Sequence, residues 1–416
     1  MKYLVIGASA AGISAAKRLR RLDSQAEITV ISKDEEVYSR CMLHYLIGGE
    51  RELEELKFIT DDFWQKYDID WIKGKEVKAV KPDDDYVKLA DDSKIDYDQL
   101  LIATGAKPFF PPIKNLDKGQ EVFGLRDLED AEEIVESAAK IEEAVIIGAG
   151  LVGMDAAIAL NELGIDVSVV EFKDSILPFQ LDKAASARFE SRFQDEGVKI
   201  LTNSSAQELI VDKKNHVQGL KLDNGQELSA QLVIVATGVR ANTELVKATE
   251  LEVEQGIIVN QYQQSSEENI YAAGDVAQSK EVFSGDLTLT PIWPLAVKQG
   301  KIAAQNMAGK QEKITDNFAY QNSMRFLGLS AITYGVVDVD SDDYEVYISQ
   351  DKDNYKKLIL KDNQLRGAIF LGDIKNSGVY GKLIKEGIDL ADKKDRLFEL
   401  SYGDFFQERE NGEFKY

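Results

Sequence analysis

Two glycine clusters hold the residues whose spacing most plainly implies chemistry. Gly7-Ala8-Ser9-Ala10-Ala11-Gly12 follows the apolar run Tyr3-Leu4-Val5-Ile6, and helical spacing then runs from Ile13 to Leu22. The pattern returns as Gly148-Ala149-Gly150-Leu151-Val152-Gly153 after Ala144-Val145-Ile146-Ile147, with helical spacing from Met154 to Leu163. A turn of this kind between strand and helix suits a pyrophosphate. The first glycine makes the bend, the second admits the phosphate to the backbone, and the third lets the helix pack on the strand. The helix start adds free N–H groups and a positive dipole. Ser9 takes the middle place in the first copy. A glycine fingerprint alone is a weak signal, and a tight turn that binds nothing is the alternative; the strand before and the helix after each cluster support the ligand.

A different chemistry attaches to Cys41. It is the chain's one cysteine. An intrachain disulfide, a cysteine-held iron–sulfur cluster and a cysteine-rich zinc site are therefore excluded. His44 and His216, the two histidines, are too few for a histidine-based metal site, so no metal is expected. If Cys41 opens a helix, the dipole and Arg40 lower its pKa. His44 lies three residues on and could pair with the thiolate. The plainer reading is a small buried cysteine with His44 on a helix face.

These residues need a scaffold, and the chain repeats one. Each helix leads to a second apolar strand, Ile28-Thr29-Val30-Ile31 and Val167-Ser168-Val169-Val170. Strand, glycine turn, helix, strand is a βαβ unit, present twice. Each copy then closes alike. A polar turn at Asp91-Asp92 precedes Leu100-Leu101-Ile102-Ala103-Thr104-Gly105. Asp223-Asn224-Gly225, a hairpin turn, precedes Leu232-Val233-Ile234-Val235-Ala236-Thr237-Gly238. Two dinucleotide folds imply two dinucleotides, or one and a duplicated scaffold.

Composition bounds the rest. The 416 residues are 44% hydrophobic and 30% charged, enough for two or three domains with real cores. Fifty basic residues stand against 73 acidic ones, a net charge of −23. That acidity disfavours nucleic acid, anionic membrane and polyphosphate surfaces. It suits partners with positive patches. No run of 18 apolar residues is present, so no membrane span is expected. Ala8-Ser9-Ala10 resembles a signal cleavage site, but the apolar run before it is too short for a signal peptide. A reducing, cytoplasmic location is expected, with the chain a monomer or a homodimer.

One further segment, Ile270-Tyr271-Ala272-Ala273-Gly274-Asp275-Val276-Ala277, is an apolar strand ending in Gly-Asp. With both fingerprints and both Ala-Thr-Gly segments, residues 1–310 resemble the FAD-dependent pyridine nucleotide–disulfide oxidoreductase superfamily. The resemblance implies an α/β chain with two doubly wound dinucleotide-binding domains and a small α+β C-terminal domain. The FAD domain would comprise residues 1–115 and 244–314, the NAD domain 116–243, and the C-terminal domain 315–416. Gly7, Ser9, Ala10, Ala11 and Gly12 would hold FAD, and Asp275, after Gly274, its ribityl chain. Ser32 stands where an acidic ribose ligand is usual, so Asp34 or Glu35 would substitute. Gly148, Gly150, Leu151, Val152 and Gly153 would hold NAD(P)H. Glu171, 23 residues after Gly148, would accept both ribose hydroxyls and repel a 2′-phosphate, which favours NADH; Lys173 works slightly against this. Trp293, Pro294 and Leu295 would run under the isoalloxazine and open a helix from Ala296 to Met307. Arg40, Val77, Ala103, Thr104, Gly105, Arg126 and Gly238 complete the implied cofactor set. Asp155 stands where the superfamily usually has Glu, near the flavin–nicotinamide contact, and could pair a cation and orient the carboxamide.

The resemblance leaves the electron acceptor open. Cys41 lies seven residues before Gly48, as in the single-cysteine branch of CoA-disulfide and persulfide reductases. Tyr38 and Arg40 match instead the Tyr-x-Arg of the rubredoxin- and nitrite-reductase branch, which needs no thiol. Ala10 argues against the oxidase and peroxidase subgroup. The segment Leu358–Asp373 reads as a hairpin with a three- to four-residue turn, followed by a helix from Ser377 to Glu386. It resembles the C-terminal domain of NADH:rubredoxin reductases and of nitrite-reductase flavin modules. The favoured expectation is electron transfer from NADH through FAD to a rubredoxin-like protein or an iron–sulfur partner subunit. Disulfide or persulfide reduction at Cys41, with His44, is the alternative, and a flavin-bearing sensor or scaffold a third. The tail Ser401–Tyr416, charged and aromatic, either docks on a partner or folds back on its own domain.

Overall fold

The computed structural model describes all residues except 283–284, 318–320, 406, 409–413 and 416, with backbone alone at 407–408 and 414–415. Contacts divide the chain into two compact units, residues 1–172 with 197–319, and residues 173–196 with 320–416.

The first unit opens with β1 (Lys2–Ile6), α1 (Ala10–Leu22), β2 (Glu27–Ile31), α2 (Leu43–Ile47), β3 (Asp70–Ile72) and β4 (Gln99–Ile102). It continues with β5 (Val122–Phe123), α3 (Leu128–Ala138), β6 (Glu143–Ile147), α4 (Leu151–Glu162), β7 (Asp166–Val170), β8 (Lys199–Leu201), β9 (Leu232–Val235), β10 (Ile270–Ala272) and α5 (Trp293–Met307). Two five-stranded parallel sheets result, in the orders β10-β4-β1-β2-β3 and β8-β7-β6-β9-β5. The orders are equivalent strand for strand. The outermost strand beside the Ala-Thr-Gly strand comes late in the chain for the first sheet and early for the second.

Both faces of the first sheet are buried, so its strands are continuously apolar rather than alternating. Tyr3 and Val5 pack toward α1 and α5. Leu4 and Ile6 pack on the opposite side, over the meander of residues 77–96. Register then fixes the functional edge. Ile6 lies opposite Ile31 and Ile102, and Ile102 opposite Ala272. Gly7, Ser32, Ala103 and Ala273 therefore leave their strands at one level, where parallel sheets bind ligands. In the second sheet Ile147 lies opposite Val170 and Val235, which brings Gly148, Glu171 and Ala236 to one edge.

The two Ala-Thr-Gly segments lead into the crossover between sheets. Residues 106–108 pair antiparallel with 239–241. Thr104 Oγ1 donates to the Asn242 carbonyl at 2.9 Å, and Thr237 Oγ1 to the Phe109 carbonyl at 2.7 Å. Each threonine thus ties its own segment to the opposite strand.

In the second unit a five-stranded antiparallel sheet has residues 345–350 at one edge and 321–326 at the other. Its central hairpin, Tyr355–Lys361 and Gln364–Leu371, turns on two residues, Asp362 and Asn363, both with positive φ. The longer turn expected from sequence is corrected: Asp and Asn tolerate the left-handed conformation that a two-residue turn needs. The helix Ser377–Glu386 forms as expected. Helix Lys183–Asp195, expected within the nicotinamide domain, packs in this unit through Phe189 and Phe193 against Phe326. Its N-cap, Asp182, is buried and meets the equally buried Lys357 at 3.0 Å and Tyr355 Oη at 2.5 Å. Beyond residue 405 the tail lies outside the described side chains.

Candidate functional site

A cleft of about 490 Å³ opens at the C-terminal edge of the first sheet, a size typical of small-molecule sites. Its wall brings together Gly7, Ser9, Ala10, Ala11, Asp34, Arg40, Cys41, Val77, Ala103, Thr104, Gly105, Arg126, Gly274, Asp275 and Trp293. Lys33, Lys75, Glu76, Lys78, Asp127, Asn242 and Glu244 line it too, and sequence reasoning missed them. Asn242 had a faint signal in its place four residues after the second Ala-Thr-Gly. Its Nδ2 donates to the Thr104 carbonyl at 2.9 Å.

Arg40 organises one wall. It donates to Asp34 at 2.5 Å, to Tyr38 Oη at 3.0 Å, to the Arg126 carbonyl at 3.1 Å and to Asp127. Tyr38 Oη accepts the Leu128 N–H at 2.8 Å. The Tyr-x-Arg pair is thus a brace from the loop after β2 to the start of α3. Glu35 is exposed and lies against Gly74 instead of the cleft. Ser32 is buried, donates to the Asp34 carbonyl at 2.7 Å and accepts Trp71 Nε1 at 3.0 Å.

The glycine turns are built for close approach. Gly7 and Gly148 have φ of 110° and 106°, and a Cβ at either would strike the Ala-Thr-Gly strand. A Cβ on Gly12 or Gly153 would lie 1.9 or 2.0 Å from the carbonyl of Gly7 or Gly148. At Gly150 a Cβ would meet nothing within 4 Å, which leaves room against the backbone. Glu171 is buried and accepts the Ala149 N–H at 2.7 Å. Val152 is exposed, and Leu151 opens α4.

The helix starts at the two glycine turns and at Trp293 are uncapped. α1, α4 and α5 have neither a side-chain cap nor an acidic residue in the first turn. α3 carries a capping box from Asp127 and Asp130. An uncapped start leaves N–H donors for an anion. α5 begins at Trp293, three residues earlier than Ala296, because proline is accommodated in the first helical turn. Pro294 is exposed and Leu295 buried there, away from the cleft wall that Trp293 and Ala296 form.

The helix that Cys41 was expected to open begins two residues later. Cys41 sits inside a single 3₁₀ turn, Arg40–Met42, and α2 begins only at Leu43. Its pKa is raised, by desolvation first, with Asp275 and Asp155 adding to the rise against Arg126. The Arg40 charge is taken up by Asp34 and Asp127. His44 has an acidic neighbour on α4. Its Nδ1 faces Asp155 Oδ2 at 3.8 Å, and burial, then Arg51, lowers its pKa to about 4. Burial raises Asp155 to about 7. Asp155 therefore has a neutral imidazole for a neighbour where a cation was expected. Among the described residues no cluster could hold a metal ion.

Comparison with known proteins agrees with this geometry. Residues 1–300 match the pyridine nucleotide-disulphide oxidoreductase family, and residues 321–388 the rubredoxin NAD+ reductase C-terminal domain. The chain belongs to the pyridine nucleotide-disulphide oxidoreductase family. It is 33% identical over 402 residues to the epsilon subunit of an NADH-dependent phenylglyoxylate dehydrogenase of Aromatoleum evansii, spanning 95% of this chain and 94% of that one. It is 28% identical over 400 residues to an NADH-rubredoxin oxidoreductase of Clostridium acetobutylicum, covering 96% and 97%. A NAD-dependent persulfide reductase of A. fulgidus superposes with a TM-score of 0.88 at 29% identity, covering 96% of this chain and 79% of that one.

As a member of this family the chain is an FAD-dependent oxidoreductase of NAD(P)H. Its own residues fit the flavin. Arg126 donates to Asp275 at 2.5 Å, yet its Nε is buried without a hydrogen-bond partner. A buried donor left unpaired is costly and calls for an acceptor in the cleft. The uncapped start of α1 behind Gly7 suits a pyrophosphate, and Asp275 a polyol. Bound there, FAD supplies two-electron uptake and one-electron release. No helix among the described residues is long and apolar enough to cross a membrane.

Proposed function

We propose that the protein oxidises NADH and passes the electrons, through FAD, to a small rubredoxin-like redox protein or an iron–sulfur partner subunit. The observation that carries this reading is the state of Cys41. Burial pushes the thiol pKa up, and His44 Nδ1 faces Asp155, an arrangement that does not favour a thiolate. The C-terminal match to rubredoxin NAD+ reductases supports an external acceptor.

The residue roles follow. Gly7–Gly12 and the start of α1 bind the FAD pyrophosphate, Arg126 and Asp275 the chain beyond it, and Trp293 walls the ring. Gly148–Gly153 bind the NADH pyrophosphate, with Gly238 at the crossover. Glu171 selects NADH, because a carboxylate there repels a 2′-phosphate. Residues 1–115 with 244–314 serve as the FAD-binding part, 116–243 as the NAD-binding part and 315–416 as the C-terminal part. The protein stacks the two rings, excludes water and holds geometry; the cofactors make and break the bonds.

A second reading, disulfide or persulfide reduction, is favoured by one observation, that Cys41 is solvent-reachable in the cleft wall. Cys41→Ser separates the two. The electron-transfer reading expects NADH-driven reduction of a rubredoxin to stay within about threefold of wild type, as for a surface thiol of no catalytic part. Loss of all acceptor activity, with flavin reduction by NADH intact, would transfer the function to the thiol.

A further inference from the structure

Behind the cleft wall lies a buried polar cluster that the residue roles above leave unused. Gln299, on α5, is wholly shielded from solvent, as is Thr290, and Asn317 and Ser279 are buried beside them. All four belong to the first unit. Buried amides and hydroxyls are costly unless they are paired. Here they pair with one another and with backbone.

The pairing has one order. Gln299 Oε1 accepts the Gly274 N–H at 2.8 Å. Its Nε2 donates to Thr290 Oγ1 at 3.3 Å and to Asn317 Oδ1 at 3.4 Å. Asn317 Nδ2 then donates to Ser279 Oγ and to the Lys280 carbonyl, both at 2.8 Å. A backbone N–H can only donate, so Gly274 fixes which end of the Gln299 amide faces it. The other end is thereby left for Thr290 and Asn317.

The cluster joins two stretches of the cleft wall. Gly274 and Asp275 line the cleft, and so do Pro291 and Trp293, just after Thr290. Gly274 has a φ of 78°, and a Cβ there would lie 3.2 Å from Ala11 Cβ. The turn therefore carries no side chain at its apex and is held from outside. The strand Ala277–Lys280 that leaves it is held at its far end by Asn317. One amide on α5 thus sets where Asp275 emerges and where the segment leading to Trp293 departs. Its neighbour Gly300 abuts the Ala11 carbonyl instead, on the side of the first glycine turn.

We propose that Gln299 is a positioning residue for the flavin: through the Gly274 N–H it aims Asp275 at the ribityl chain, and through Thr290 it fixes the segment that walls the ring. The inference rests on the assignment of Asp275 to the ribityl chain, and adds the residue that holds it there. The pyrophosphate turn is built from other residues, Gly7 to Gly12. Loss of Gln299 therefore weakens the hold on the ribityl chain and ring and spares the hold on the diphosphate.

The test strips the full-length chain of flavin and titrates it with FAD and, separately, with ADP, which lacks the ribityl chain and ring. Gln299→Leu is expected to weaken FAD about tenfold or more, as a buried donor left without an acceptor does, and to keep ADP within about twofold of wild type. Gln299→Glu, whose buried carboxyl stays neutral and so both accepts and donates, returns FAD affinity to within about threefold of wild type. Thr290→Val keeps the side-chain shape. It weakens FAD about threefold by itself and adds little to Gln299→Leu, since the two act through one network; it carries the test where Gln299→Leu does not fold. Asp275→Ala, run in parallel, weakens FAD and spares ADP. Gln299→Leu or Thr290→Val protein that binds FAD as tightly as wild type, or that loses FAD and ADP in equal measure, would overturn the proposal. An Asp275→Ala protein with unchanged FAD affinity would instead sink the ribityl assignment, and the proposal with it.

Discussion

Cys41 shows how far single residues can be read. Its type and its spacing to Gly48 pointed to a reactive thiol. Its electrostatics did not follow, because the groups that neutralise Arg40 are Asp34 and Asp127, the second 87 positions away. Local sequence carries no trace of such a pairing. The same limit applies to His44, whose partner Asp155 lies in the other nucleotide fold. Glu171 was legible, since the end of the second strand follows from the βαβ pattern. It also bonds the Ala149 N–H, which the pattern did not reveal. Glu171→Ala is expected to cut kcat/KM for NADH about tenfold, the worth of charged hydrogen bonds, and to raise it for NADPH as the repulsion of the 2′-phosphate is lost. Steady-state kinetics with both coenzymes checks this. An unchanged ratio between them would remove Glu171 as the selector.

At the scale of elements, the strands and glycine turns were readable because apolar runs between glycines leave little alternative. The start of α5 was misplaced because Trp293 and Pro294 look like loop, although proline fits the first turn of a helix. The contact between α1 and α5 was invisible, since it depends on Gly300. A Cβ there would lie 2.1 Å from the Ala11 carbonyl, directly behind the first glycine turn. Gly300→Val is expected to push α5 from α1, to cost about 1–3 kcal/mol as overpacking does, and to shed FAD. Gly153→Val strains the second turn in the same way, and should keep the flavin while losing NADH binding. Flavin absorbance on purification, with NADH titration, reads both outcomes. A yellow Gly300→Val protein of normal melting temperature would show that this helix contact does not build the flavin site.

For the whole molecule, duplication was plain in the sequence, and the equivalent strand orders of the two sheets bear it out. The grouping of residues 173–196 with the C-terminal unit was not legible. It depends on burying Lys357 with Asp182, residues 175 positions apart, and on aromatic packing around Phe326. The net charge of −23 acts at long range. Electron delivery to a partner that docks through a basic face should slow as salt rises from about 0.01 to 0.15 M, because the Debye length shrinks from about 30 to 8 Å. Second-order rates against ionic strength measure this, and a salt-independent rate would argue for docking governed by apolar contact.

Anaerobic addition of NADH, followed by absorbance and then by a rubredoxin-type acceptor, tests the central claim most directly. The account predicts a yellow protein whose flavin bleaches with NADH, shows no long-wavelength thiolate-to-flavin band, and recovers its colour as the acceptor is reduced. A long-wavelength band that disappears in Cys41→Ser, with flavin that the acceptor protein cannot reoxidise, would contradict it.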